Sequence, residues 1–443
     1  MKYKYLLLIW GLLIAAKGFT QNPFITDQFT ADPTARVFNG RVYVYASHDI
    51  PSPVERLKEW FCMEDYHVFS SDNLTDWTDH GVIVSQNTVP WVKPLSYSMW
   101  APDCVSRNGK YYFYFPSMSK DTISDKGFSI GVAVSDSPSG GFVPQKKPIE
   151  GVKGIDPCVF IDKDNQAYIY WCGGGMFAAK LKDNMVELDS APMSIDSLPE
   201  GFKEGPFVFE RNGIYYYTFP WVQDKTETLA YAMGKSPLGP FEFKGLIMDQ
   251  WPSECWTNHH SVVSFKDQWY LFYHHNDFSP EFDKNRSARI DSLFFNRDGT
   301  IQKVKPTFRG VGITDASAEI QIDRYSNISD RGISIEFIDN KNKFNGWKTV
   351  FNETGCWVQY NSIDFGRQEK KRVKIKAISG SGGILEIRAK NKNGAVISEI
   401  MVPESEKWTI LNAPVEGNNL GVENIFISLK DGKNVEVDWL SFE

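Results

Sequence analysis

One pattern recurs five times along this chain: an acidic or imidazole side chain, an apolar alternating stretch, a Gly/Asn/Asp turn, then a tyrosine-rich run. The copies are ADPTARVFNGRVYVYAS, APDCVSRNGKYYFYFPS, IDPCVFIDKDNQAYIYWCG, EGPFVFERNGIYYYTFP and NHHSVVSFKDQWYLFYHH, which place Asp32, Asp103, Asp156, Glu204 and His259 at corresponding points. Strand pairs closed by turns and repeated every roughly 50 to 70 residues predict the blades of a β-propeller, whose corresponding positions surround one axis. Four carboxyls and one imidazole are therefore expected to meet there.

The outer part of each repeat supports blades over a generic sandwich. Third strands are predicted at Val132 to Val134 and Leu229 to Met233, each followed by a Ser-Pro-Gly stop containing Pro138 and Gly140 or Pro237 and Gly239. After His275 the run ARIDSLFFNRDGTI continues the fifth copy, with Asp298-Gly299 as a hairpin turn. The periodicity breaks between Arg309 and Asp315. Beyond it ISIEFI, CWVQYNSIDF, RVKIKAI, ILEIRAK, VISEIMV, NIFISLK and VEVDWLSF alternate as short strands, with turns at Asn393-Gly394 and Asp431-Gly432. These predict a β-sandwich of roughly 125 residues, jelly-roll-like in architecture. The chain is thus expected to be all-β, with a five-bladed β-propeller over 22–311 and a sandwich over 316–443.

With 443 residues, 42% of them hydrophobic and 14% aromatic, there is material for two cores. The net charge of -7 is spread along the chain without basic stripes, which argues against nucleic acid as a partner. Lys2 and Lys4 precede an apolar run, Leu6 to Ala16, so residues 1–21 read as a signal peptide and export to the periplasm or outside the cell is expected. The run is too short for a comfortable membrane span. A monomer is expected. Cys62, Cys104, Cys158, Cys172, Cys255 and Cys356 show no CxxC or Cys/His zinc spacing, leaving buried thiols or one bridge.

Clustered carboxyls cannot all ionise cheaply, because burial and like charge raise at least one pKa. The result is a charged base beside a protonated acid, the pair that glycoside hydrolysis needs, roughly 6.5 to 9.5 Å apart when water attacks directly. Calcium binding is the other use of such a cluster, but no Asp-x-Asp-x-Asp-Gly loop is present. A noncatalytic carbohydrate-binding propeller is the alternative of a different class.

The motifs TADPT, WAPD, GIDP, KEGP and TNHHS, in this order and each in its own repeat, resemble the blade starts of family 43 glycoside hydrolases. The resemblance implies an inverting enzyme, needing no cofactor, that removes arabinofuranosyl or xylosyl units from plant polysaccharides. Residue by residue, it implies Asp32 as general base, Glu204 as general acid, and Asp156 as the carboxylate that raises and orients that acid. It further implies substrate contacts from Trp100 and Arg286, with Arg289 as a rival for the arginine, and places Asp103 where it can reach sugar hydroxyls. His259 matches an imidazole that in many members faces a water or Ca²⁺, so a structural Ca²⁺ beside it is an expectation, while no metal ligand set is assigned.

The carboxy-terminal region resembles a family 6 carbohydrate-binding module through GCWVQYNSIDFG, KIKAISGSGGILEIRAK, EKWTIL and VEVDWLSF. Where such modules place an aromatic platform and an Asn, this chain has Leu411 and Glu436. Trp347, Trp357 and Tyr360 are candidates for another binding surface, with core packing the expected role of Trp357.

Overall fold

The computed structural model describes residues 21–120, 127–202, 204–250, 255–279, 282–342, 345–417 and 419–443. The expected signal peptide lies almost wholly outside these residues. Among them no helix is long and apolar enough to cross a membrane.

Four antiparallel four-stranded sheets and one three-stranded sheet follow each other in sequence. The first strands of successive blades, Phe29–Phe38, Asp103–Arg107, Ile155–Ile161, Phe207–Arg211 and His260–Phe265, touch one another in turn, and the fifth returns to the first. A closed five-bladed propeller results. The predicted third strands are Phe128–Ser135 and Glu227–Gly234. The fifth blade has no full fourth strand among the described residues: past Ser287–Leu293 the chain makes a turn closed by a bridge between Phe295 and Ile301. Its outer edge is instead covered by the segment that precedes the first blade. Phe24 donates its backbone N–H to the Ala288 carbonyl, and the Asn22 amide exchanges hydrogen bonds with both backbone groups of Ile290 at 2.8 and 3.0 Å. The segment ahead of the first blade thereby fastens the last.

The register corrects the alignment of the repeats. The residue opposite the tyrosine-rich strand just after each blade-start proline is Thr34 (facing Tyr45), Asp103 (facing Tyr114), Cys158 (facing Tyr170) and Phe207 (facing Thr218). Asp103 is therefore the counterpart of Thr34 and Cys158, and Ala101 is the counterpart of Asp32 and Asp156. That row of residues joins blade to blade. Thr34 Oγ1 donates to the Pro102 carbonyl at 2.7 Å, Val159 N to Asp103 at 2.6 Å, Val208 N to Cys158 Sγ at 3.3 Å, and Ser261 Oγ to the Pro33 carbonyl at 2.7 Å.

The sandwich consists of two six-stranded sheets around a core that includes Phe351, Ile375, Leu385, Ile427, Val437 and Leu440. Thr314–Asp315 already pairs in parallel with Ile363–Asp364, so sandwich pairing starts two residues ahead of the expected 316. The alternating runs form the predicted strands; Ile320–Gln321, Trp347–Phe351 and Ser405–Pro414 complete one sheet, and Thr314–Asp315 and Asn327–Ile328 complete the other. Gln21 Nε2 donates to the Tyr360 hydroxyl at 2.6 Å, Arg324 to the Asn22 carbonyl at 2.9 Å, and Arg309 to the Asn361 carbonyl at 2.9 Å. The two domains are thus joined by hydrogen bonds to backbone and buried polar groups as well as by the linker. All six cysteines are free thiols.

Candidate active site

Asp32, Asp156, Glu204, His259, Arg286 and Trp100 line one cavity of about 360 Å³, at the end of the propeller where the blade-start motifs converge. Asp32 and Asp156 adopt left-handed backbone conformations, φ 50° and 57°, which cost a non-glycine residue about 1 kcal/mol or more and persist only where surrounding contacts enforce them. In the first blade the ladder register shifts between Ala31 and Thr34, turning Asp32 out of the pleat.

The Asp32 carboxylate receives the Arg286 Nη1 donor at 3.1 Å and the Ser47 hydroxyl at 3.0 Å, while its backbone N–H donates to His274 Nδ1 at 3.0 Å. Arg286 is held in turn by Asp49: Nε and Nη2 each donate at 2.9 Å, and the Arg286 backbone N–H donates at 2.8 Å. Such a bidentate, charge-assisted pair fixes the guanidinium plane, so its remaining nitrogen is aimed at Asp32 and at Thr257 Oγ1, 3.1 Å away. Arg289 is excluded as the arginine of the cavity, since it is buried against Asp277 and the rings of Phe278 and Phe308.

Asp156 is buried, and its carboxyl is raised well above the ordinary range, first by desolvation and then by the nearby charges of Glu204 and Asp32. It accepts the Gly205 N–H at 3.0 Å, which ties it to the peptide directly after Glu204. Glycine is required at 205: φ is 61°, and a Cβ would lie 2.9 Å from Pro220 and 3.1 Å from His259 Nδ1. Burial lowers His259 to about 4, against the opposing pull of Asp32 and with Arg286 adding to the drop, so the imidazole is neutral near pH 7.

Asp103 is absent from the cavity. Its carboxylate is fully buried between blades, receives two Arg36 nitrogens at distances from 2.6 to 3.0 Å, and accepts from the backbones of Cys104 and Val159. The expectation of sugar contact is corrected: every lone-pair direction is already occupied by the protein, and the residue it was aligned with corresponds to Ala101, which does line the cavity. His259 belongs to no group of three His, Cys, Asp or Glu residues able to close on a metal among the described residues. The expected Ca²⁺ thus finds no carboxylate cage there.

Several residues that line the cavity or brace its lining escaped the sequence reading. Asp49 and Ser47 alternate along the second strand of blade one, so period-2 reasoning from the neighbouring Asp32 strand was the available signal. Trp60, Phe61 and Trp256 line the mouth, with Phe61 and Trp256 stacked at 6.3 Å and Trp60 edge-on to Trp256 at 5.7 Å. Trp60 and Phe61 lie in the long connection between the second and third strands, where no repeat signal exists. Glu227 also lines the cavity and accepts the Asn258 backbone N–H at 2.7 Å.

In the sandwich, Leu411 leans on the core, and Glu436 is paired with Lys348 at 2.7 Å. Tyr360 is buried and committed to Gln21. Trp347 stacks on Phe337 at 3.9 Å and meets Phe278 of the propeller edge-on at 5.2 Å. Trp357, expected in the core, lies on the outer sheet face instead, against Phe426 at 5.6 Å and beneath Lys392. Strand alternation explains this, since its neighbour Val358 points inward.

The family model described as carbohydrate binding module (family 6) matches residues 326–443. Xylosidase/arabinosidase 43A of Humicola insolens is 36% identical over 335 residues, covering 64% of this chain and 99% of that one. The arabinoxylan arabinofuranohydrolase of Bacillus subtilis (strain 168) is 27% identical over 474 aligned residues, covering 91% of this chain and 88% of its own. A crystal structure of a family 43 arabinoxylan arabinofuranohydrolase from Bacillus subtilis with cellotetraose superposes with a TM-score of 0.57 at 25% identity, covering 96% and 97% of the two chains. The model of glycosyl hydrolases family 43 matches residues 20–301, the part that builds the propeller and its cavity, and the chain belongs to that family of glycoside hydrolases.

Proposed function

We propose that this enzyme is an exo-acting, inverting glycosidase of plant hemicellulose, releasing α-L-arabinofuranosyl units from arabinoxylan or arabinan. The observation that carries the reading is the Asp156 bridge: one buried carboxyl of raised pKa holds the peptide after Glu204 while standing near Asp32. Asp32, which accepts from Arg286 and Ser47, takes a proton from the attacking water. Glu204 gives its proton to the leaving oxygen. Asp156 and Glu204 are neighbouring like charges that do not both ionise cheaply, so the pair retains a proton that Glu204 is placed to deliver. Trp100 offers a ring wall, and Arg286 and neutral His259 offer donors to sugar hydroxyls. A cavity of about 360 Å³ suits a terminal residue.

A noncatalytic sugar-binding propeller would have no use for an acid, a base and a third carboxyl tuning them. The β-xylosidase reading is favoured by one observation: over the propeller this chain is 36% identical to a protein named for both xylosidase and arabinosidase activity. The relative that matches along 91% of this chain, named for arabinoxylan, supports arabinofuranose. Export is proposed from Lys2, Lys4 and the apolar run Leu6 to Ala16.

Rates on nitrophenyl α-L-arabinofuranoside, nitrophenyl β-D-xyloside and linear arabinan separate these readings, with the first expected to be fastest. Proton NMR of the first-formed sugar is expected to show the anomer opposite to that of the substrate. Retention would require a nucleophilic carboxylate and would overturn the roles of Asp32 and Glu204.

A further inference from the structure

Outside the cavity, one cluster of ligating side chains has no part in the hydrolysis. His48 on the second strand of blade one and Asp65 and His67 on the third present one donor atom each, all within 4.8 Å of one another and all half-buried. The cluster faces away from the cavity, because His48 alternates with Ser47 and Asp49, whose side chains reach Asp32 and Arg286.

The proton positions make the arrangement incomplete as it stands. His67 Nδ1 lies 3.0 and 3.1 Å from the two oxygens of Asp79 on the fourth strand, so Nδ1 carries a hydrogen and donates it. In the neutral ring, Nε2 is then a bare lone pair, and it faces Asp65 Oδ1 at 3.9 Å, too far for a hydrogen bond. A lone pair opposite a carboxylate oxygen is repulsive unless a cation stands between them. His48 Nδ1 is 3.0 Å from the same oxygen, and the two imidazoles meet edge to face at 5.2 Å. Gln28, ahead of the first strand, donates to Asp79 at 3.0 Å and holds that carboxylate in place.

We propose that His48, Asp65 and His67 form a binding site for a late first-row divalent cation, zinc by preference, which cross-links the strands of blade one. Two imidazole nitrogens and one carboxylate oxygen are a zinc donor set, and the fourth position is left to water. Tetrahedral zinc with bonds near 2.0 Å places its ligands about 3.3 Å apart, so the 3.0 and 3.9 Å to Asp65 lie close to that spacing, and rotation of the two imidazoles, whose donors lie within 4.8 Å, closes the set. Calcium is disfavoured, since it takes six to eight oxygens. Asp79 fills the outer role of metal sites: a carboxylate that fixes the tautomer of a ligating histidine and makes its other nitrogen more basic.

The test is calorimetric titration of zinc chloride into the full chain after dialysis against a chelator, with thermal unfolding in parallel. One zinc per chain is expected to bind with micromolar or tighter affinity and to raise Tm. His48→Gln and Asp65→Asn should abolish this binding. Asp79→Asn, which alters no ligand atom, should weaken it by about tenfold or more. His80→Gln, on the same blade but outside the cluster, should bind as the parent does. No binding at millimolar zinc, or parent-like binding by His48→Gln, overturns the proposal. So does a nitrogen NMR spectrum in which both His67 nitrogens stay protonated with equimolar zinc present.

Discussion

The propeller cavity and the sandwich face are built to the same standard but keep different things. At the cavity every side chain that an acid–base mechanism needs is present and braced: Arg286 by Asp49, Asp32 by Ser47, and the peptide after Glu204 by Asp156. In the sandwich the core and strand order are kept, while Leu411 is turned toward the core and Glu436 is neutralised by Lys348. A family framework therefore says where a binding site would be. Only the side chains there say whether it operates. The contrast puts the acid–base groups in the first domain, while the second, which matches the family 6 carbohydrate-binding modules, is locked on through Gln21, Arg309 and Arg324.

The largest effect that can break this contrast lies in the cavity. Asp32→Ala and Glu204→Ala should each lower turnover per folded molecule by about two to four orders of magnitude. Substrates with a good leaving group should partly restore Glu204→Ala and leave Asp32→Ala unchanged. Parent-like turnover of either variant on arabinoxylan would remove the acid–base assignment.

Asp103 sharpens the comparison within the propeller. Asp103→Ala leaves the half-buried Arg36 without its carboxylate, and breaking such a pair from one side costs up to about 3 kcal/mol. Chemical denaturation should show that loss, while kcat per folded molecule stays close to the parent. A selective fall in kcat with unchanged stability would return Asp103 to the active site.

Stability against pH should also separate the domains. All seven histidines are in the propeller region, and four of them, His259, His260, His274 and His275, are buried with lowered pKa values through desolvation, to about 4 for His259 and about 3 for His275. The unfolded chain binds these protons first, so the contribution is full above the ordinary value of about 6.5 and is lost as pH falls through about 4, about 3 kcal/mol for His259 alone. Asp156 has the opposite sign: its raised carboxyl favours the fold below the ordinary carboxylate range, a gain lost as pH rises through its higher value. Calorimetric scans between pH 7 and 4 should show the propeller transition falling while the sandwich transition holds. Parallel decline of both would contradict the burial of these imidazoles.

The smallest effect concerns the sandwich. With Asp32→Ala in place to stop turnover, Glu436→Gln and Leu411→Ala should change the affinity of the full chain for xylooligosaccharides by less than about twofold, since neither offers a stacking face and the Glu is already paired. A larger loss by titration calorimetry would make this face a working binding site.

The repeats alone, read as strand pairs with punctuating turns, were enough for the five blades and for Asp32, Asp156, Glu204 and His259 converging, because blade periodicity is a local pattern of alternation and turn residues. The sandwich strands were legible for the same reason. Register was not: a shift of two places around a proline separates Asp103 from Ala101, and only strand pairing shows which of them faces the axis. Tertiary structure alone decided that Arg286 and not Arg289 enters the cavity, that Asp49 holds it across 237 positions of sequence, and that Asn22 closes the fifth blade. Those are contacts between segments distant in the chain. Their partners are chosen by the closure of the ring and by the need to satisfy buried charge, neither of which leaves a periodic mark on the sequence.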